Sequence, residues 1–158
     1  MSDSFDDLRD LYQEVILDHG RHPRHGKRLA TFDATAKGDN PMCGDRVQVW
    51  LAYGPGDTID AAGFEARGCA ISIASADLMA ETVAGRSKTD ARALFAAFRE
   101  MARTGQCPAC EAALSEPLDR LAPLSGVHEY PSRVKCATLP WHALIAALDG
   151  TEKEASSE

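Results

Sequence analysis

Apolar residues at Phe5, Leu8, Leu11, Tyr12, Val15 and Ile16 recur every three or four positions. That period puts them on one stripe and predicts a helix from Phe5 to His19. Ser4, followed by Asp6 and Asp7, suits its start, and Gly20 and Pro23 suit its end. The residues His19-Gly-Arg-His22-Pro-Arg-His25-Gly26 are basic, with three evenly spaced histidines. Pro23 and the two glycines break the helical register that would align those rings. The stretch therefore reads as a solvated cationic loop rather than a metal cluster.

The period then changes. Val47, Val49 and Leu51 alternate with Arg46, Gln48 and Ala52, which predicts a strand from Arg46 to Tyr53. Thr31 to Ala36 is a shorter strand. Thr58 to Arg67 returns from it across the turn Gly54-Pro-Gly-Asp57, with Ile59, Ala62 and Phe64 as its apolar content. Ala70 to Ala84 is a helix of small and apolar residues that stops at Gly85. A second helix, Thr89 to Arg103, buries Leu94, Phe95, Phe98 and Met101, with Ser87 or Thr89 as its cap. Leu114 to Leu124 is a short helix around Pro117. Pro131 opens the last element, an amphipathic helix from Val134 to Leu148 that carries Trp141, Leu144, Ile145 and Leu148. Pro140 inside it predicts a kink or a late start. The order is α+β: a small three-stranded antiparallel sheet packed against about five helices. Nothing divides it, so residues 1–150 read as one domain and the polar stretch 151–158 as a frayed tail.

Composition narrows the function classes. A chain of 158 residues with 44% apolar content suits one core. No apolar run approaches the roughly 20 residues needed to span a bilayer. The acidic N-terminus lacks the order of a signal peptide, so the expected compartment is the cytoplasm, away from membranes. A net charge of −7 argues against nucleic-acid binding, which relies on a basic footprint. In a reducing compartment, five cysteines point to metal binding, catalysis or simple burial rather than to disulfides.

Cys43 lies in the turn Asn40-Pro-Met-Cys-Gly-Asp45, Cys69 at a strand end before a helix, and Cys136 near the start of the last helix. Loops and helix N-termini favour thiolates, because unpaired N–H groups and a positive dipole end face the sulfur. A thiolate is both the metal ligand and the nucleophile. Cys43, Asp45, Cys69 and Cys136 could therefore form a Cys₃Asp site, against the alternative of buried inert cysteines. Cys107-Pro-Ala-Cys110 is half of a zinc knuckle or a redox dithiol. No second pair completes a knuckle, although Cys69 and Cys136 could be borrowed. The pair falls between helices rather than at a strand-to-helix junction, so an incidental loop pair is the favoured reading.

Several stretches together resemble a known family. Leu11-Tyr-Gln-Glu-Val-Ile-Leu-Asp-His19 with Pro23-Arg-His-Gly26 is similar to the start of SufU-type and IscU-like proteins of iron–sulfur cluster biogenesis. Asn40 to Asp45, Gly68 to Ala76 and Arg133 to Trp141 resemble their three ligand motifs. Lys135 stands where IscU-like scaffolds carry His before the third cysteine. The stretch between Cys69 and Cys136 includes extra helical sequence like the SufU insertion. The resemblance thus favours the SufU type and implies the SufE/NifU-like fold.

It further implies a zinc ion (Zn2+) held by Cys43, Asp45, Cys69 and Cys136, and a sulfur-carrier role beside a pyridoxal-phosphate cysteine desulfurase of the SufS type. The sulfur would pass on to the downstream iron–sulfur assembly machinery. Asp45 is a harder ligand than a thiolate, and Cys43 lies in a glycine-containing turn. Cys43 is thus the expected mobile ligand, displaced by a desulfurase side chain to accept persulfide sulfur. Two alternatives stand beside this one: a scaffold that assembles a [2Fe-2S] cluster on the same residues, and a zinc-stabilised adaptor without sulfur chemistry. The resemblance assigns Cys107 and Cys110 no role. Trp141 reads as core, and His128 and His142 as surface or cap residues.

Overall fold

Three antiparallel strands form the sheet: β1 (Ala34–Asn40), β2 (Asp45–Gly54) and β3 (Thr58–Arg67). β2 is central, flanked by β1 and β3. The computed structural model describes residues 13–41, 44–105, 115–150 and 155–156. Cys43, Cys107, Cys110 and residues 5–12 of the expected N-terminal helix lie outside them. The described part of that helix, α1, covers residues 13–21. It is followed after the sheet by α2 (Ala70–Val83), α3 (Lys88–Thr104) and α4 (Ser115–Leu121). A 3₁₀ helix (Ala122–Glu129) and α5 (Pro131–Asp149) complete the helical layer. Ala155–Ser156 form a two-residue strand, β4, parallel to β1 at Gly38 and Asp39. The fold class is therefore α+β in a single domain, with five α-helices and a three-stranded antiparallel sheet that β4 extends by two residues along β1 among the described residues.

The alternation in β2 has its expected consequence: Val47, Val49 and Leu51 are buried. β3 is less regular. Its pairing with β2 shifts between Ala52 and Tyr53, so Ala52 faces Ala61 while Tyr53 faces Ile59. This bulge spends one extra residue, which is how Ile59, Ala62 and Phe64 all reach the core despite their mixed parity. β1 starts at Ala34 rather than Thr31. The residues before it cross the outer sheet face instead, and the Arg28 guanidinium lies 5.7 Å from the Trp50 ring centroid. A Cβ on Gly63 would meet the Lys27 carbonyl at 2.4 Å, so glycine there permits the crossing.

α5 packs along the inner face of the sheet, against β1 and β2. The approach is close: a Cβ on Gly38 would lie 3.0 Å from Leu139 Cδ1 and 3.2 Å from Val47 Cγ1. Trp141 is fully buried and stacks on Phe98 of α3 at 5.1 Å between centroids, as its core reading requires. α5 begins at Pro131, where a missing N–H costs nothing, and it contains Pro140. The late start expected from Pro140 is therefore not used. Ser87 caps α3 by accepting the Asp90 N–H at 3.0 Å.

The basic loop after α1 departs from the expected solvated state. Asp77, fully buried midway along α2, accepts the Arg24 N–H at 2.9 Å and the His25 N–H at 2.8 Å. Its second oxygen is hydrogen-bonded to His19 Nδ1. A buried carboxylate without such partners would cost several kcal/mol, so this loop is held in place by need. His22 stays exposed, as the loop reading had it.

Asp77→Ala is expected to destabilise the protein by about 2–3 kcal/mol, because two backbone donors and one ring lose a buried acceptor. Asp77→Asn should recover part of this, since its amide oxygen can still accept from Arg24 and His25. Urea denaturation measures both, and equal losses for the two variants would contradict the assignment.

Candidate metal centre

The centre begins at the β1–β2 turn. Gly44 takes a positive φ of 74°, donates its N–H to the Asn40 carbonyl at 2.9 Å, and starts β2 at Asp45. The Asp45 side chain is turned inwards and only 1% exposed. One carboxylate oxygen accepts the Cys69 N–H at 2.9 Å, and the other lies 3.6 Å from Cys69 Sγ. Gly68 makes room for this contact. Its φ is 141°, and a Cβ there would fall 2.0 Å from Asp45 Oδ1.

Cys69 is the N-cap of α2, and its sulfur accepts the Ser72 N–H at 3.4 Å. The helix-start reading therefore holds for this thiol. Cys136 differs. Because α5 starts at Pro131 rather than Val134, Cys136 sits in the second turn, where its sulfur bonds the Ser132 carbonyl at 3.6 Å. Its position is set by packing: the Ser75 hydroxyl on α2 donates to the Ala137 carbonyl on α5 at 2.5 Å. That bond ties the helix that carries Cys69 to the one that carries Cys136.

Asp45, Cys69 and Cys136 thus converge from three elements, with one ligand atom from each lying within 4.8 Å of the others. A tetrahedral ion with bonds of about 2.0–2.3 Å sets such donors about 3.5–3.8 Å apart. The trio is within a small contraction of that geometry. Two soft sulfurs and one carboxylate oxygen form a donor set that fits zinc or iron and leaves one position to fill. Cys43, the fourth expected donor, lies outside the described residues. The flanking Pro41 and Gly44 are exposed, and among the described residues a Cβ at Gly44 would meet nothing within 4 Å beyond its own chain neighbours.

The Arg133 guanidinium stands over this cluster. Charge on the Cys69 sulfur, then hydrogen bonding and charge from Cys136, hold it more firmly protonated than usual. Arg133 entered the sequence analysis only as the first residue of the third motif, whereas in the fold it interacts with both sulfurs. His142, read as a surface or cap residue, is half-buried with its ring edge-on to Phe95. His128 is exposed, and its Nδ1 meets the Ser125 carbonyl at 2.8 Å.

A family model described as the NifU-like N terminal domain matches residues 11–147. The chain belongs to that family. It is 36% identical over 141 residues to the iron-sulfur cluster assembly scaffold protein IscU of Streptococcus pyogenes serotype M1, covering 89% of this chain and 84% of that one. It is equally 36% identical, over 137 residues, to the zinc-dependent sulfurtransferase SufU of Bacillus subtilis strain 168, covering 87% and 88%. Among solved structures, a candidate iron-sulfur cluster assembly scaffold protein for the SUF system from Fervidobacterium islandicum superimposes with a TM-score of 0.76. It is 30% identical and matches 85% of this chain and 94% of that chain. No described helix is long and apolar enough to cross a membrane.

Gly68→Ala is expected to cost about 1–3 kcal/mol, because it adds backbone strain and displaces the Asp45 carboxylate. Metal uptake should weaken with it. Denaturant titration and competition with a chromophoric chelator read the two effects. Unchanged values in both would mean that the junction relaxes freely and that the Asp45–Cys69 contact does not depend on glycine.

Proposed function

We propose that this protein is a zinc-dependent sulfur carrier that accepts persulfide sulfur from a pyridoxal-phosphate cysteine desulfurase and passes it on for iron–sulfur cluster assembly. The observation that carries this reading is the convergence of Asp45, Cys69 and Cys136 beside Arg133. Cys43 completes the proposed ligand set and is the proposed sulfur acceptor. Bound zinc would supply a redox-inert Lewis acid that keeps coordinated sulfurs as thiolates.

The protein's own residues do the remaining work. Asp45 and Cys69 are held to each other through the Cys69 N–H, and Cys136 through its helix, so these three stay fixed. Cys43 belongs to the turn whose neighbours are exposed, where a partner's persulfide can approach. Its thiolate attacks the outer sulfur of that persulfide. The persulfide S–S bond breaks, the desulfurase cysteine leaves as a thiolate, and Cys43 carries the transferred sulfur as a new persulfide.

A second reading has its own support. The chain is as similar to a scaffold relative as to a sulfurtransferase relative, and a [2Fe-2S] cluster could use the same sulfurs. Lys135, in place of a histidine before Cys136, and the helical stretch between Cys69 and Cys136 favour the carrier.

Alanine production by the cognate desulfurase, driven by cysteine, separates these ideas. Wild type should stimulate turnover, and Cys43→Ser should not. Full stimulation by a Cys43→Ser protein that retains its metal overturns the acceptor role. Metal analysis of the purified protein should give about one zinc per chain. A stable cluster after anaerobic reconstitution, transferable to an apo-protein, would favour the scaffold.

A further inference from the structure

A cleft of about 320 Å³ runs between α3 and α5. Arg99 and Arg103 line it from α3, His128 from the 3₁₀ helix, and Pro131, Val134 and Lys135 from the start of α5. No carboxylate lines it among the described residues. Arg99, Arg103 and Lys135 are exposed, and none has an ion-pair partner among the described residues. The larger groove on the sheet contrasts with it. There Lys37, Arg46 and Arg67 are interleaved with Asp39 and Glu65, and Arg46 lies 3.8 Å from Asp39. In a chain of net charge −7, a groove of one sign calls for an anionic partner.

Its shape narrows the choice. From Pro131 to His142 the α5 wall extends about 16 Å, longer than a single phosphate can use. Arg99 and Arg103 are one helical turn apart, about 6 Å along the axis. Alternate residues of an extended chain repeat at about 6.6 Å, so acidic side chains on one face of a strand match that spacing. Pro131 and Val134 give the groove an apolar strip for the side chains between. Nucleic acid fits less well, because no Phe, Tyr or Trp lines the cleft to stack on a base. Burial, and then Arg99, favour neutral His142, so the positive charge there belongs to the arginines and the lysine.

We propose that the α3–α5 cleft is a docking groove for an acidic segment of a partner protein, whose carboxylates pair with Arg99, Arg103 and Lys135 while its apolar side chains rest on Pro131 and Val134. The groove lies beside the candidate metal centre but uses none of its ligands. The inference therefore stands whichever metal chemistry the centre performs.

Fluorescence anisotropy with a labelled peptide of about ten residues, alternating glutamate with leucine, tests this. Saturable binding is expected, with affinity falling as salt rises. Arg99→Glu/Arg103→Glu should weaken it about tenfold or more, while Arg99→Lys/Arg103→Lys should largely retain it. Absence of saturation at about 1 mM peptide overturns the proposal. So does unchanged binding by the charge-reversed variant, tighter binding of single-stranded RNA of similar length, or displacement of the peptide by equimolar inorganic phosphate. Should charge reversal disturb the fold, amide shifts of the wild type with the peptide decide. Changes confined to α3, the 3₁₀ helix and α5 support the groove, and changes elsewhere overturn it.

Discussion

A carboxylate taken out of water at the start of β2 sets the terms for much of this structure. Asp45 is 1% exposed, and an unanswered charge there would cost several kcal/mol. The answer comes from the Cys69 amide, 24 residues away in the chain. For that amide to reach Asp45, the end of β3 must pass directly over the carboxylate, which only a residue without a Cβ can do. Gly68 therefore sets the approach of α2, and that approach fixes where Cys69 points its sulfur. The Ser75 hydroxyl then bonds α2 to α5 and brings Cys136 to the same place. Electrostatic satisfaction of one buried acid and assembly of the candidate centre are the same event.

α2 repeats the device further along. Asp77 is as deeply buried as Asp45, and it too is answered by backbone N–H groups from a distant loop. The first acid organises the centre, and the second fastens the segment that leads out of α1. Both rely on backbone donors, whose positions are set by chain geometry and which need no rotamer entropy to be paid at the contact. This explains why α2 is buried on nearly every side yet contains two serines and an aspartate. Its small apolar residues let neighbouring elements come close, and Ser75 and Asp77 then bind them.

The elements most legible in the sequence were those with an undisturbed period. β2 alternates cleanly, and α3 has a broad stripe with a serine at its cap. The three described members of the proposed ligand set were legible from residue type and motif. What the pattern hid was long-range. A bulge in β3 broke the alternation between Ile59 and Ala62. Phe32, inside the expected strand Thr31 to Ala36, lies before β1 and against the Arg28 guanidinium, and Leu29 lies near Gly63. The docking of the basic loop depends on Asp77, more than 50 residues later, and no local period can announce such a pair. An aspartate among alanines in mid-helix was the available signal. A buried charge there demands partners, but nothing in the sequence singles out backbone N–H groups 53 and 52 residues away as those partners.

Three of the proposed ligands are firmly held by the described structure, and this bears on carrier against scaffold. Asp45 is fixed by a backbone donor, Cys69 by its capping position and Cys136 by a helix locked against α2. Each would be costly to move, because packing or a buried hydrogen bond must be given up first. Beside Cys43, Pro41 and Gly44 are exposed, while the Gly44 N–H is bonded to the carbonyl of buried Asn40. A cluster scaffold gains from four equally rigid donors, since each sulfur must hold iron throughout assembly. A sulfur carrier gains from three rigid donors and one that can leave, because the departing thiolate is the nucleophile and the remaining three keep the fold and the metal in place. The anchoring of Asp45, Cys69 and Cys136 serves either role, and the proposed carrier role asks in addition that Cys43 be able to leave.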